Sequence, residues 1–185
     1  RDLEIRGAGN VLGAEQSGHI AAIGFDLYCQ LLRRTVAGLK GEPVPPVLEV
    51  ELRLDFIDYA PAHAGEPGAA VIPPAYLEDE NLRLQAYRRL AGAAMEGEPD
   101  EIRAEFADRF GPPPPALERL LLIARVRMAA AAARLTSVEV QGEKVLLQRD
   151  GDYLTHHQRF PRLSAGEPSE RLAGLLRLVR GYAVG

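Results

Sequence analysis

The 185-residue sequence is 46% hydrophobic and 26% charged, carries a formal net charge of −4, and has a single cysteine, Cys29. No apolar run approaches the roughly 18–20 residues of a membrane span, one cysteine excludes an internal disulfide or a multi-cysteine zinc site, and residues 1–20 do not read as a signal peptide, so a cytoplasmic protein is expected. The acidic excess lies in residues 42–185, with seventeen basic and twenty-two acidic side chains against five and four in residues 1–41. Phosphate contacts require the opposite balance, so the larger part is expected to bind protein rather than to grip DNA alone.

Residues 1–19 are rich in glycine. Leu3 and Ile5 alternate with Asp2, Glu4 and Arg6, which reads as a short strand entering a loop. Residues 20–40 read as a helix with Ile20, Ile23, Leu27 and Leu31 at helical spacing, stopped by Gly41. The run "GEPVPP", Gly41 to Pro46, is a linker whose prolines favour extended backbone. Three units are therefore predicted: 1–19, 20–46 and 47–185.

In the third unit, Leu48, Val50, Leu52, Leu54 and Phe56 alternate with mostly charged residues, the pattern of a half-buried strand. Residues 58–75 predict a loop. Asp79 caps a helix running to about Met95, with Leu82, Ala86, Leu90 and Ala93 on one face. Pro99 opens a second helix carrying Ile102, Phe106 and Phe110. A third is predicted from Pro115 to Leu135, with a stripe of Leu117, Leu121, Ala124, Met128, Ala131 and Leu135. The period then changes to two: "SVEVQGEKVLLQ" predicts a hairpin turning at Gly142. "PSERLAGLLRLVRG" closes the chain as a helix with Leu172, Leu175, Leu176 and Val179 inward. The class is α+β: a helix-rich domain with a small, mainly antiparallel sheet, preceded by a loop and a linker helix.

The chemistry-bearing residues are sparse. Gly7, Gly9 and Gly13 are spaced one residue longer than the dinucleotide fingerprint, and no Walker lysine follows. From spacing alone they form a loop needing positive φ or close backbone approach. His19 and His63 stand isolated, and adjacent His156 and His157 point to different faces of any regular element, so no metal site is expected. Cys29 reads as a small core residue, and Glu78, Asp79 and Glu80 as helix-start charges. Glu101, Glu105 and Asp108, spaced four and three, line one face of the second helix. That face is either solvated or an acidic patch for an arginine-rich partner. Arg83, Arg88 and Arg89, around a half-buried Tyr87, are either a solvated helix face or the best DNA contacts the domain offers.

The stretch "RDLEIRGAGNVLGAEQSGHI…GFDLY" resembles the bacterial transcription-repair coupling factors (Mfd), at the motif their motor shares with the RecG helicase and called TRG. The resemblance continues through "VELRL", "IPPAYLEDENLRLQAYRRLA" and "EFADRFGPPPPALERLLLIARVRM". It implies a C-terminal part of an ATP-driven double-stranded DNA translocase that displaces stalled RNA polymerase and recruits the excision-repair protein UvrA. The ATP and Mg2+ site would then lie upstream of residue 1, with no catalytic residue, cofactor or metal in this stretch. Arg6 and Gln16 would couple ATP state to translocation, with Gly7, Gly9 and Gly13 allowing the loop to bend; Ala14 departs from the family's more usual acidic residue. The C-terminal domain would mask the UvrA-binding surface of the protein's own N-terminal module, Glu105 and Asp108, with Glu101 beside them, facing arginines. The alternative is a DNA-contacting accessory domain of a RecG-like helicase.

Overall fold

Strand β1 (Glu51–Leu54) points Leu52 and Leu54 inward and Glu51 and Arg53 outward, as the alternation predicts. The computed structural model describes residues 50–93 and 95–183; the predicted strand, loop and helix of residues 1–40 and the linker after them lie outside these. Next come a short 3-10 turn (Pro61–His63), α1 (Glu80–Gly92), α2 (Glu98–Phe110) and α3 (Pro115–Ala132). Strands β2 (Ser137–Gln141), β3 (Lys144–Arg149) and β4 (Asp152–Tyr153) precede α4 (Pro168–Arg180). The sheet order is β1-β2-β3-β4. β1 pairs with β2 in parallel and the other two pairings are antiparallel. A parallel neighbour needs a long crossover, and here the crossover contains three helices.

Helix α3 is the axis of the domain. Its first half contributes Leu117, Leu120 and Leu121 to a cluster with Tyr87 and Leu90 of α1 and Ile102 and Phe106 of α2. Its second half contributes Ile123, Val126 and Ala130 to a cluster with the sheet and Leu172, Leu175 and Val179 of α4. Packed on both sides, it buries far more than one stripe, and Met128 and Ala131 of the predicted stripe are only half-buried. The helix also stops before Leu135. Arg134 takes a left-handed φ of 55°, its N–H bonds to the Ala131 carbonyl, and the Leu135 N–H bonds to the Ala130 carbonyl at 2.9 Å. That is a Schellman ending with arginine in the place glycine usually takes, and it leaves Leu135 fully buried beyond the helix.

The caps follow the residues that favour them. Asp79 accepts from the Leu82 N–H at 2.9 Å, and prolines lie in the first turns of α2, α3 and α4. α1 ends at Gly92, where Ala93 turns extended, so Met95 lies beyond the helix and is 68% exposed. The predicted loop 58–75 is well packed rather than wholly solvent-facing: Ala69, Ala70, Val71 and Ile72 are buried. Their backbone is held by Asp58 N–H to Gly68 O and Ala70 N–H to Asp58 O. The buried Arg119 guanidinium adds bonds to Ala69 O (2.5 Å) and Glu66 O (3.2 Å). β4 is an element beyond the predicted hairpin, reached through Asp150 and Gly151, both at positive φ.

Candidate functional site

The sequence-predicted acidic residues all lie on α2, whose inner side is fixed by Ile102 and Phe106. Burying those two apolar residues presents Glu101, Glu105 and Asp108 toward the outside. Glu105 is half-buried, and Glu101 and Asp108 are exposed. Glu105 does not stand open. Arg89 of α1 donates to its Oε2 at 2.6 Å, and Arg109, one turn along α2, donates to its Oε1 at 2.9 Å. These two bonds, Arg89 first, hold the Glu105 carboxyl below its ordinary range. Among the described residues Glu101 and Asp108 have no ion-pair partner.

The same helix is tied to α3 by Arg103 to Glu118 at 2.7 Å and by Arg125 to Asp100. The outer face of α2 is thus a mixed-charge surface: two open carboxylates flank a carboxylate held by two arginines. It can accept donors at Glu101 and Asp108, and at Glu105 by sharing or exchanging its arginines. The arginine partners of Glu105 were missed in the sequence, although Glu105 and Arg109 have the i, i+4 spacing that brings such pairs together.

The rival basic face of α1 is largely committed to protein. Arg83 donates to the carbonyls of Leu77 (2.6 Å) and Glu78 (2.7 Å), and Arg89 to Glu105. Tyr87 is buried rather than half-buried, its hydroxyl accepting from the Ile72 N–H at 2.8 Å. Arg88 is half-buried, and its Nε has no hydrogen-bond acceptor among the described residues.

Two expectations about histidines change. His63 is not isolated: its Nδ1 donates to Asp58 Oδ2 at 2.6 Å. One ligand atom each from Asp58, His63 and Glu66 lie within 4.8 Å of one another. The 3-10 turn and the Glu66-to-His63 backbone bond bring them together, giving a surface trio that offers three donors of the kind divalent ions accept. His156 and His157 meet edge-on, ring centroids 4.2 Å apart, because a positive φ at His157 breaks the strand alternation. Arg6, Gly7, Gly9, Gly13 and Gln16, together with His19 and Cys29, lie outside the described residues. A groove of about 230 Å³ between α3 and the end of α4 is lined by Met128, Ala129 and Ala132 together with Arg125 and Arg180. Arg180 is paired with Glu96 at 2.7 Å.

Residues 67–158 match the TRCF domain family model. The chain is 39% identical over 147 residues to the transcription-repair-coupling factor of Mycobacterium tuberculosis, covering 75% of this chain and 11% of that protein. Against the Escherichia coli transcription-repair-coupling factor it is 39% identical over 145 residues, covering 75% of this chain and 11% of the relative. Against that of Haemophilus influenzae it is 35% identical, covering 90% and 14%. The chain therefore spans little more than a tenth of the length of these relatives. The fold is similar to the crystal structure of the C-terminal domain of a transcription-repair coupling factor, with a TM-score of 0.56 at 18% identity, over 72% of this chain and 90% of that one. No described helix is long and apolar enough to cross a membrane.

Proposed function

The chain belongs to the transcription-repair-coupling-factor family, and from that premise we propose that residues 47–185 are a regulatory interaction domain rather than a DNA grip. The domain belongs to an ATP-dependent double-stranded DNA translocase that removes stalled RNA polymerase and recruits nucleotide excision repair. It docks on the UvrA-binding module of the same protein and masks it until the motor engages. Residues 1–19 serve the motor: Arg6 and Gln16 couple ATP state to translocation, and Gly7, Gly9 and Gly13 let the loop bend. ATP and Mg2+ act in the motor, outside this chain.

The observation that carries the masking reading is the outer face of α2. Glu101 and Asp108 are exposed and have no ion-pair partner among the described residues, while Glu105 is held between them by Arg89 and Arg109. A partner surface bearing arginines finds two carboxylates ready and a third fixed in orientation. Charge-assisted bonds of this kind are strong and directional. A useful mask is nevertheless modest: about 1–3 kcal/mol of coupling gives a roughly 5- to 150-fold change in exposure of the hidden site.

The test is charge reversal at Glu105 and Asp108 in the full-length protein. Its affinity for UvrA rises if α2 forms the mask. Unchanged affinity in folded variants removes this assignment.

A further inference from the structure

We propose that the outer edge of the sheet, formed by Lys144, β4 and the turn after it, binds single-stranded nucleic acid, with Tyr153 as the stacking platform. This inference goes beyond the masking function and does not rest on it. In a chain of net charge −4, residues 153–162, "YLTHHQRFPR", contain two arginines, two histidines and two aromatic rings but no carboxylate. The fold places these residues along the β4 edge of the sheet, beside β3. After β4 the chain turns back beside β3, with Val145 N–H to Pro161 O and Leu163 N–H to Glu143 O, so that Lys144 lies opposite Arg162.

Tyr153 is 53% exposed, one of two large hydrophobic side chains so exposed among the described residues. It is braced edge-on by Phe160, with centroids 5.9 Å apart and planes at 83°. The Lys144 ammonium sits 4.3 Å from the Phe160 centroid, placing a cation beside the ring pair. His156 and Arg159 close a tight turn through two mutual backbone bonds of 2.9 and 3.0 Å. Its central residues, His157 and Gln158, have φ of 49° and 61°, left-handed backbone that histidine adopts more readily than most residues and glutamine seldom does. The turn carries exposed His156, His157 and Arg159, and Arg159 has no ion-pair partner among the described residues. Carboxylates also stand around this surface: Glu143, 3.5 Å from Arg162, Asp152, next to Tyr153 on β4, and Glu139 of β2, which like Tyr153 acts electrostatically on Arg53.

Exposed rings flanked by cations are what a flexible polyanion of stackable bases recognises. In a duplex the base faces are already stacked on one another, so a single strand is the occupant. An acidic peptide shares the charge but has no regular use for the ring faces.

The probe is a fluorescein-labelled thymidine oligonucleotide, titrated with the 185-residue chain by fluorescence anisotropy over a range of salt. Saturable binding is expected, with log K falling against log salt at a slope of about −2 for three cations on a single strand. Tyr153→Ala weakens it about fivefold or more, Tyr153→Phe binds as the unaltered chain does, and Arg159→Glu with Arg162→Glu removes it. Asp108→Asn on α2 leaves it intact, which separates this surface from the mask. Thermal unfolding confirms that each variant is folded. The proposal is overturned by absence of saturation at low salt, by undiminished binding in folded Tyr153→Ala, or by a labelled polyglutamate peptide binding as tightly as the oligonucleotide.

Discussion

Arg89 of α1 and Glu105 of α2 meet at 2.6 Å across the gap between the two helices, and Arg109 completes the grip on the same carboxylate. The side chains are a third to a half exposed, so solvent and salt screen the bonds and their contribution to folding stays below about 1 kcal/mol. The Glu105 carboxyl titrates below its ordinary value, so this contribution is present above about pH 4.5 and is lost as pH falls through the depressed value. Glu105→Gln should therefore unfold within about 1 kcal/mol of the unaltered chain in urea while raising exposure of the masked surface. A large stability loss would make Glu105 a structural residue instead.

Arg119 is 7% exposed and makes its bonds to the backbone oxygens of Ala69 and Glu66. Burial lowers its pKa, the sign expected of a charge taken out of water. Arg119→Met keeps much of the packing but leaves Ala69 O without this donor, and a buried acceptor left unsatisfied costs about 1–3 kcal/mol. Urea unfolding of this variant should show a loss of about 2 kcal/mol, with faster amide exchange in residues 58–72. Unchanged stability would mean that the segment holds itself in place without the arginine.

Gly68 answers a steric demand in the same segment. A Cβ there would lie 2.9 Å from the Phe56 carbonyl oxygen, and that oxygen belongs to backbone that cannot swing aside. Gly68→Ala is expected to destabilise by about 1–3 kcal/mol, the range for overpacking. Gly65→Ala, where nothing lies within 4 Å, is the matched control and should be close to neutral.

The Asp58–His63 clasp has a definite pH window. The bond to Asp58 raises the His63 pKa above 6.5, so its stabilisation is complete below 6.5 and fades as pH rises through the higher folded value. Asp58 is lowered from 3.8, first by the Ala60 N–H and then by His63, so its share is present above 3.8 and is lost as pH falls through the lower folded value. The clasp is strongest between those limits. An NMR titration should place the His63 ring midpoint above 6.5 and lower it toward the ordinary value in Asp58→Asn, where only the Glu66 charge still raises it. A His63 midpoint at or below 6.5 in the unaltered chain would contradict the pairing.

The elements with strong periodicity were legible in the sequence. The Asp79 cap, the proline starts of three helices and the inward face of α4 follow from local residue choice. Three features were less so. The stripe on α3 misled because the helix is packed on both sides, and only the tertiary arrangement tells which of two apolar faces meets which core. Its Schellman ending was hidden because Arg134, not glycine, takes the left-handed position. β4 had a signal that went unused, the Asp150–Gly151 pair that favours a two-residue hairpin turn. At the site, the identity and outward direction of Glu101, Glu105 and Asp108 followed from helical spacing. Arg89 did not, since it reaches Glu105 from another helix sixteen residues away. His63 likewise looked solitary until the turn at Pro61–His63 brought it to Asp58.

The most direct test of the mask is calorimetric titration of the 185-residue chain with the separately expressed N-terminal, UvrA-binding module of the same protein, at low and at moderate salt. Saturable binding that weakens with salt and disappears in the folded Glu105→Arg, Asp108→Arg variant is the predicted result. Equal affinity in that variant, or no binding between folded partners, would contradict it.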